Sequence, residues 1–132
     1  MTTSLFSSFK ANLLPNALRS DGVFSLLSGL VTTLAARPLA ALFGLPAPAV
    51  LTGLGVVIVG YGLLLLYAAG RPSLHRRAAW HALILNGLWV LASAVGLLAG
   101  WFPVNTAGVW AIIIVGEVVA AFGLLQFYAL RR

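Results

Sequence analysis

An all-α fold, a transmembrane four-helix antiparallel bundle with a short N-terminal interfacial helix, is what this 132-residue sequence predicts. Three observations predict it. Hydrophobic residues make up 61% of the chain and charged residues 8%, with a mean hydropathy of +1.06, whereas a soluble domain carries about 25% charged residues. Two intervals free of Asp, Glu, Lys and Arg, 33 residues between Arg37 and Arg71 and 39 between Arg77 and Glu117, each exceed the ~20 residues that cross ~30 Å of hydrocarbon. The eight basic residues are also unevenly placed: Lys10, Arg19, Arg71, Arg76, Arg77, Arg131 and Arg132 fall on one side of the predicted spans and only Arg37 on the other.

Residues 1–17 read as an interfacial segment. Leu5, Phe6, Phe9, Leu13 and Leu14 recur at helical spacing, Ser7, Ser8, Lys10 and Asn12 fill the rest of the wheel, and Pro15 closes the pattern. The transmembrane domain then covers residues 18–132. Its first span, 18–36, has Arg19 and Asp21 at one edge and an uncharged core of 15 residues. Pro38, Pro46 and Pro48 make residues 38–49 a loop with a short apolar segment, after which 50–69 is the second span. The third span is 78–100. Residues 101–106 form a polar break, and 107–128 is the fourth span. Connections of 13, 8 and 6 residues leave no room for a second domain and set each helix antiparallel beside its successor.

The charge bias predicts a multi-pass protein of a bacterial inner membrane with both termini and the 70–77 loop in the cytoplasm. The aromatic residues agree. Tyr67, Trp80, Phe127 and Tyr128 fall at the inner boundary and Phe43, Trp101, Phe102 and Trp110 at the outer one, where amphipathic rings settle.

Between apolar helices in lipid, small residues mark the contacts. Gly53 with Gly60 and Gly55 with Gly62 flank Tyr61 on the second span, which predicts neighbours on both sides. The third span carries Ala79, Ala82, Asn86, Trp89, Ser93, Gly96 and Gly100 at seam positions, and the first carries Ser25, Gly29, Thr32 and Ala36 along one stripe. On the fourth, Gly116 and Gly123 lie about 110° round the helix from Glu117. With Glu117 pointed into the bundle, Gly116, Ala120 and Gly123 form a predicted contact between subunits.

Any chemistry must come from the polar residues inside the spans. Ser25, Ser28, Tyr61 and Glu117 fall near the bilayer centre, with Asn86 about 5 Å nearer the cytoplasm. Glu117 has no cation in any span to pair with, so it is expected as a neutral acid hydrogen-bonded to these groups. That cluster reads either as a proton or cation site or as a polar knot that fixes helix register.

His75 lies in the basic loop and His81 about one turn inside the third span. They cannot pair as axial ligands across one bundle, although His81 alone could hold haem or a chlorophyll-like pigment. Arg71, Arg76 and Arg77 suit anionic lipid headgroups, and the absence of a stacking platform argues against nucleic acid. There is no cysteine, the one methionine is Met1, and no nucleophile elbow, phosphate loop or zinc-ligand spacing is present, so no enzyme and no metal site are expected.

In architecture the chain resembles the small multidrug resistance transporters, but those carry their essential Glu in the first helix and have weak charge bias. The stretch Leu18-Arg19-Ser20-Asp21-Gly22, residues 25–29 and residues 37–46 look more like the small uncharacterised bacterial four-helix inner-membrane proteins. That resemblance covers most of the chain and implies a fold and a location but no activity. The expected function is therefore that of a non-enzymatic integral membrane protein, a homo-oligomer or an accessory subunit of a membrane complex, in contact with membrane lipids. The alternatives are a small proton-coupled transporter or channel centred on Glu117, and a haem or pigment binder through His81.

Overall fold

The computed structural model describes residues 12–131, and all its regular structure among them is helical. The helices are α1 (Leu13–Leu34), α2 (Ala36–Phe43), α3 (Pro48–Ala69), α4 (His75–Ala99) and α5 (Thr106–Leu130), with a 3-10 turn, Pro72–Leu74, between α3 and α4. The residues that carry most of the interfacial pattern, from Leu5 to Lys10, lie outside the described part.

The first span begins earlier than the sequence suggests. Helix α1 runs through Pro15, which stands in the first helical turn, where a missing N–H costs no intrahelical bond. Residues 13–17 therefore belong to the long helix. The far end of α1 is broken by Pro38. A helix continuing through Leu34 would need the N–H of residue 38 to reach the Leu34 carbonyl, and proline supplies a ring there instead. The chain bends by 85° at Ala35 and continues as α2. Part of the expected 38–49 loop is thus a short helix, and it buries Ala36 and Ala40 against Leu51.

Helix α2 ends at Gly44, in the left-handed region at φ 75°, which seats the Leu45 N–H on the Ala40 carbonyl at 2.8 Å. Asn105 ties this corner to the last helix. Its Oδ1 accepts from the Gly108 N–H at 3.0 Å as the N-cap of α5, while its Nδ2 donates to the Leu42 carbonyl at 2.9 Å and its own N–H donates to the Phe43 carbonyl at 2.8 Å. Pro48 opens α3 at its first turn. Gly100 closes α4 at φ 72°, with the Trp101 N–H on the Gly96 carbonyl.

Helices α3, α4 and α5 are each long and apolar enough to cross a membrane, and α1 with α2 meets the same test as a bent pair, giving three to four spans. Their outward faces are largely apolar, with Leu98 91% and Leu124 71% exposed, and such spans imply lipid contact. Of the aromatic residues expected at the two boundaries, Tyr67, Trp80, Trp101, Phe102, Trp110, Phe127 and Tyr128 are exposed, and Phe43 is half-buried.

The packing is two tight pairs, not a ring of equal neighbours. Helix α1 lies on α3 and α4 lies on α5, while α3 and α4, though joined by a short turn, touch little. Glycine sets the first pair. A Cβ on Gly62 would lie 2.7 Å from the Leu26 nitrogen and 2.8 Å from the Gly22 carbonyl oxygen, and one on Gly29 would lie 2.8 Å from the Gly55 carbonyl oxygen. Backbones this close exclude any side chain between them. Gly53 and Gly60, on the other flank of α3, meet nothing within 4 Å, so that helix is partnered on one glycine face only.

The remaining face of α1 meets both α4 and α5, which makes the most polar helix the most enclosed. Leu18 is fully buried in a core with Leu65, Ala69, Ala79, Ala82 and Leu130.

Candidate functional site: a buried polar hub at Asp21

One carboxyl stands at the centre of the bundle, and it is Asp21, which is 2% exposed. It lies eight residues into α1, about 12 Å from the start of the helix. Every long helix contributes a hydrogen bond to it. Ser25, one turn on in α1, donates its hydroxyl to Oδ1 at 3.2 Å. Asn86 of α4 donates from Nδ2 to Oδ2 at 2.9 Å, and Gln126 of α5 donates from Nε2 to the same oxygen at 2.7 Å. The Tyr61 hydroxyl of α3 stands 3.3 Å from Asp21 Oδ2 and 3.3 Å from Asn86 Oδ1, so its single proton has two acceptors to choose between.

The amides also bind each other, Asn86 Nδ2 donating to Gln126 Oε1 at 2.9 Å. Both N–H bonds of Asn86 are therefore used, and Gln126 is fully buried as donor and acceptor at once. A carboxylate only accepts hydrogen bonds, and the groups that face Asp21 can all donate. An isolated acid at mid-helix costs about 2.5–3.5 kcal/mol on insertion scales, and this donor set is what offsets that cost.

Of the five residues expected at one depth, the structure brings together Tyr61, Asn86 and Ser25. Ser28 points its hydroxyl back along α1 to the Phe24 carbonyl at 2.7 Å. Glu117 is the correction. It is exposed, on the face of α5 opposite the hub: nine residues separate it from Gln126, which at 100° per residue is about 180° round the helix. With Gln126, Gly123, Ala129 and Leu130 buried, Glu117 has to face outward.

The glycine stripe of α5 divides accordingly. Gly123 is buried and a Cβ there would sit 3.7 Å from the Asn86 Cβ, so this chain's own α4 covers it. Gly116 meets nothing within 4 Å, and Ala120 is half-buried.

The basic end carries local partners. Arg71 stacks 4.8 Å over the Tyr67 ring, Arg76 Nη2 donates to the Leu130 carbonyl at 3.3 Å, and Arg77 is exposed. Cations beside the last carbonyls of α5 suit the negative end of that helix. His75 Nε2 lies 2.9 Å from the Ala69 carbonyl oxygen. His81 is exposed on α4, outside the hub, and among the described residues no group of three or more His, Cys, Asp or Glu comes together that could hold a metal ion.

Comparison with known protein families, characterised proteins and solved structures finds no match. The chain is a small helical protein with three to four candidate membrane spans.

Two residues of the hub are not marked as such by the sequence. Gln126 lies four residues from the end of α5, within the fourth predicted span, and is fully buried. Asp21, with Arg19, is expected at the edge of the first span. The signal that could have found it is its spacing with Ser25, Ser28 and Thr32, one polar stripe at heptad intervals.

Proposed function

We propose that this protein is a non-enzymatic integral membrane protein that acts through other membrane polypeptides, as a homo-oligomer or as an accessory subunit of a larger complex. One observation carries this reading: the second acid of the chain, Glu117, stands exposed near the middle of α5 on the face turned away from the bundle. A carboxyl left toward hydrocarbon is costly, and a second polypeptide is the cheapest way to cover it. The acid inside the bundle is meanwhile occupied by four helices' worth of donors. The charge asymmetry supports a bacterial inner membrane with both termini on the cytoplasmic side. Native mass measurement after extraction in mild detergent tests the reading. An assembly above the 13.8 kDa monomer is expected, and a monomer both there and in nanodiscs would overturn it.

A second reading, a small proton-coupled transporter, is favoured by the hub itself, since a buried carboxyl reached from every helix is what such a site needs. In place of Glu117 it centres on Asp21. It requires a proton flux in proteoliposomes that is lost in Asp21→Asn.

A further inference from the structure

The outward face of α5 has a regular geometry. Trp110, Ile114, Glu117, Ala121 and Leu124 are all exposed, and they follow one another at intervals of four, three, four and three residues. That is the spacing of a coiled-coil seam, a stripe that stays on one face when two helices supercoil. Glu117 is at its middle and small Ala121 follows directly, which leaves room for a close neighbour.

We propose that a second copy of this chain covers the stripe, the two α5 helices packing in parallel about a two-fold axis with Glu117 against Glu117. This rests on the partner-dependent reading above and names the partner. The charge asymmetry of the sequence inserts every copy the same way round, so two α5 helices that meet are parallel. In a parallel two-fold seam each stripe residue faces its own counterpart at the same depth. Helix α5 contains no Lys or Arg, so a second α5 offers Glu117 no cation. It offers the other carboxyl instead. A protonated carboxyl donates to a carboxylate or to a second acid, so two Glu117 side chains satisfy each other with one shared proton, or with two. A single polar pair within an apolar seam fixes both register and partner number.

The absence of cysteine makes the test direct. Single cysteines at Ile114, Ala121 and Leu124 are oxidised in native membranes, with Leu88→Cys on α4 and Val57→Cys on α3 as exposed mid-helix controls. Disulfide dimers should form at the α5 positions and not at the controls. Adding Glu117→Gln, whose amides pair with each other, should keep the cross-link, and Glu117→Lys should abolish it. Adding Glu117→Ala should weaken association by about fivefold to thirtyfold, the equivalent of the roughly 1–2 kcal/mol of a hydrogen bond between membrane helices. Because Glu117 is exposed, none of these variants disturbs the hub. Equal cross-linking at the controls would mean random collision and overturn the proposal. So would no cross-link within a particle still larger than a monomer, which would leave the accessory-subunit reading standing with a foreign helix on α5. A monomeric particle would remove both.

Discussion

Asp21 binds through acceptance, and that decides which substitutions the bundle tolerates. Replacing it with Asn keeps an oxygen where Asn86 and Gln126 donate, and turns an amide toward the Ser25 hydroxyl, which can accept as well as donate. Replacing it with Ala leaves both amide donors facing nothing. Each donor stranded in a buried site costs about 1–3 kcal/mol. In a reversible unfolding titration in detergent, Asp21→Asn should lie within about 1 kcal/mol of wild type and Asp21→Ala should fall well below it. Equal losses in the two would show that the charge, not the acceptor, holds the hub. At this scale the sequence named three hub members, because Ser25, Tyr61 and Asn86 are polar residues deep in apolar runs. It misplaced the acids for one reason. Asp21 has Arg19 two residues away and looks solvated, whereas Glu117 is alone among apolar neighbours and looks buried, and only the starting point of α1 and the direction of the Gln126 face reverse that assignment.

Along the elements, the closest contact is between α1 and α3, and it depends on which glycine is replaced. Gly62→Ala sets a methyl 2.7 Å from the Leu26 backbone nitrogen, and neither helix can yield without separating from the other along the seam. Gly60→Ala adds the same methyl two residues away into open space, where losing a glycine favours the helix by up to about 1 kcal/mol. The expected outcome is a marked loss of thermal stability for Gly62→Ala and none for Gly60→Ala, measured side by side in the same detergent. The sequence carried both glycine pairs with equal weight. It had no means of telling them apart, because heptad spacing gives two stripes and the choice belongs to the partner helix, whose own Gly22 and Gly29 match only one. The α2 helix shows the opposite kind of loss. Its prolines read as loop signals, but Pro38 stands in the first turn of α2, where a missing N–H costs no intrahelical bond, and so it ends α1 without preventing the short helix Ala36–Phe43.

For the molecule as a whole, the question is how many times the chain crosses and in which sense. Three helices qualify alone, and α1 qualifies only with α2, bent away by 85°. Its packing supplies the missing argument. Gly22 meets Gly62 and Gly29 meets Gly55, so α1 runs antiparallel to α3 with its middle beside the middle of a helix that is itself long enough to cross. A helix held there, with Asp21 enclosed by three other helices, shares their depth, while α2 turns aside at the end that carries Arg37. Four crossings put Asn12 and Arg131 on the same side, with Arg71, Arg76 and Arg77; three crossings would put them on opposite sides. On the reading proposed above, the seven-to-one charge count makes that shared side the cytoplasm. Reporter fusions after Arg132, within residues 70–74 and within residues 101–105 separate the possibilities. Cytoplasmic signals are expected from the first two and a periplasmic signal from the third. An N-terminal tag accessible only from the periplasm, with the same three signals, would mean that α1 does not cross, and the enclosure of Asp21 would then have to form without the bilayer around it.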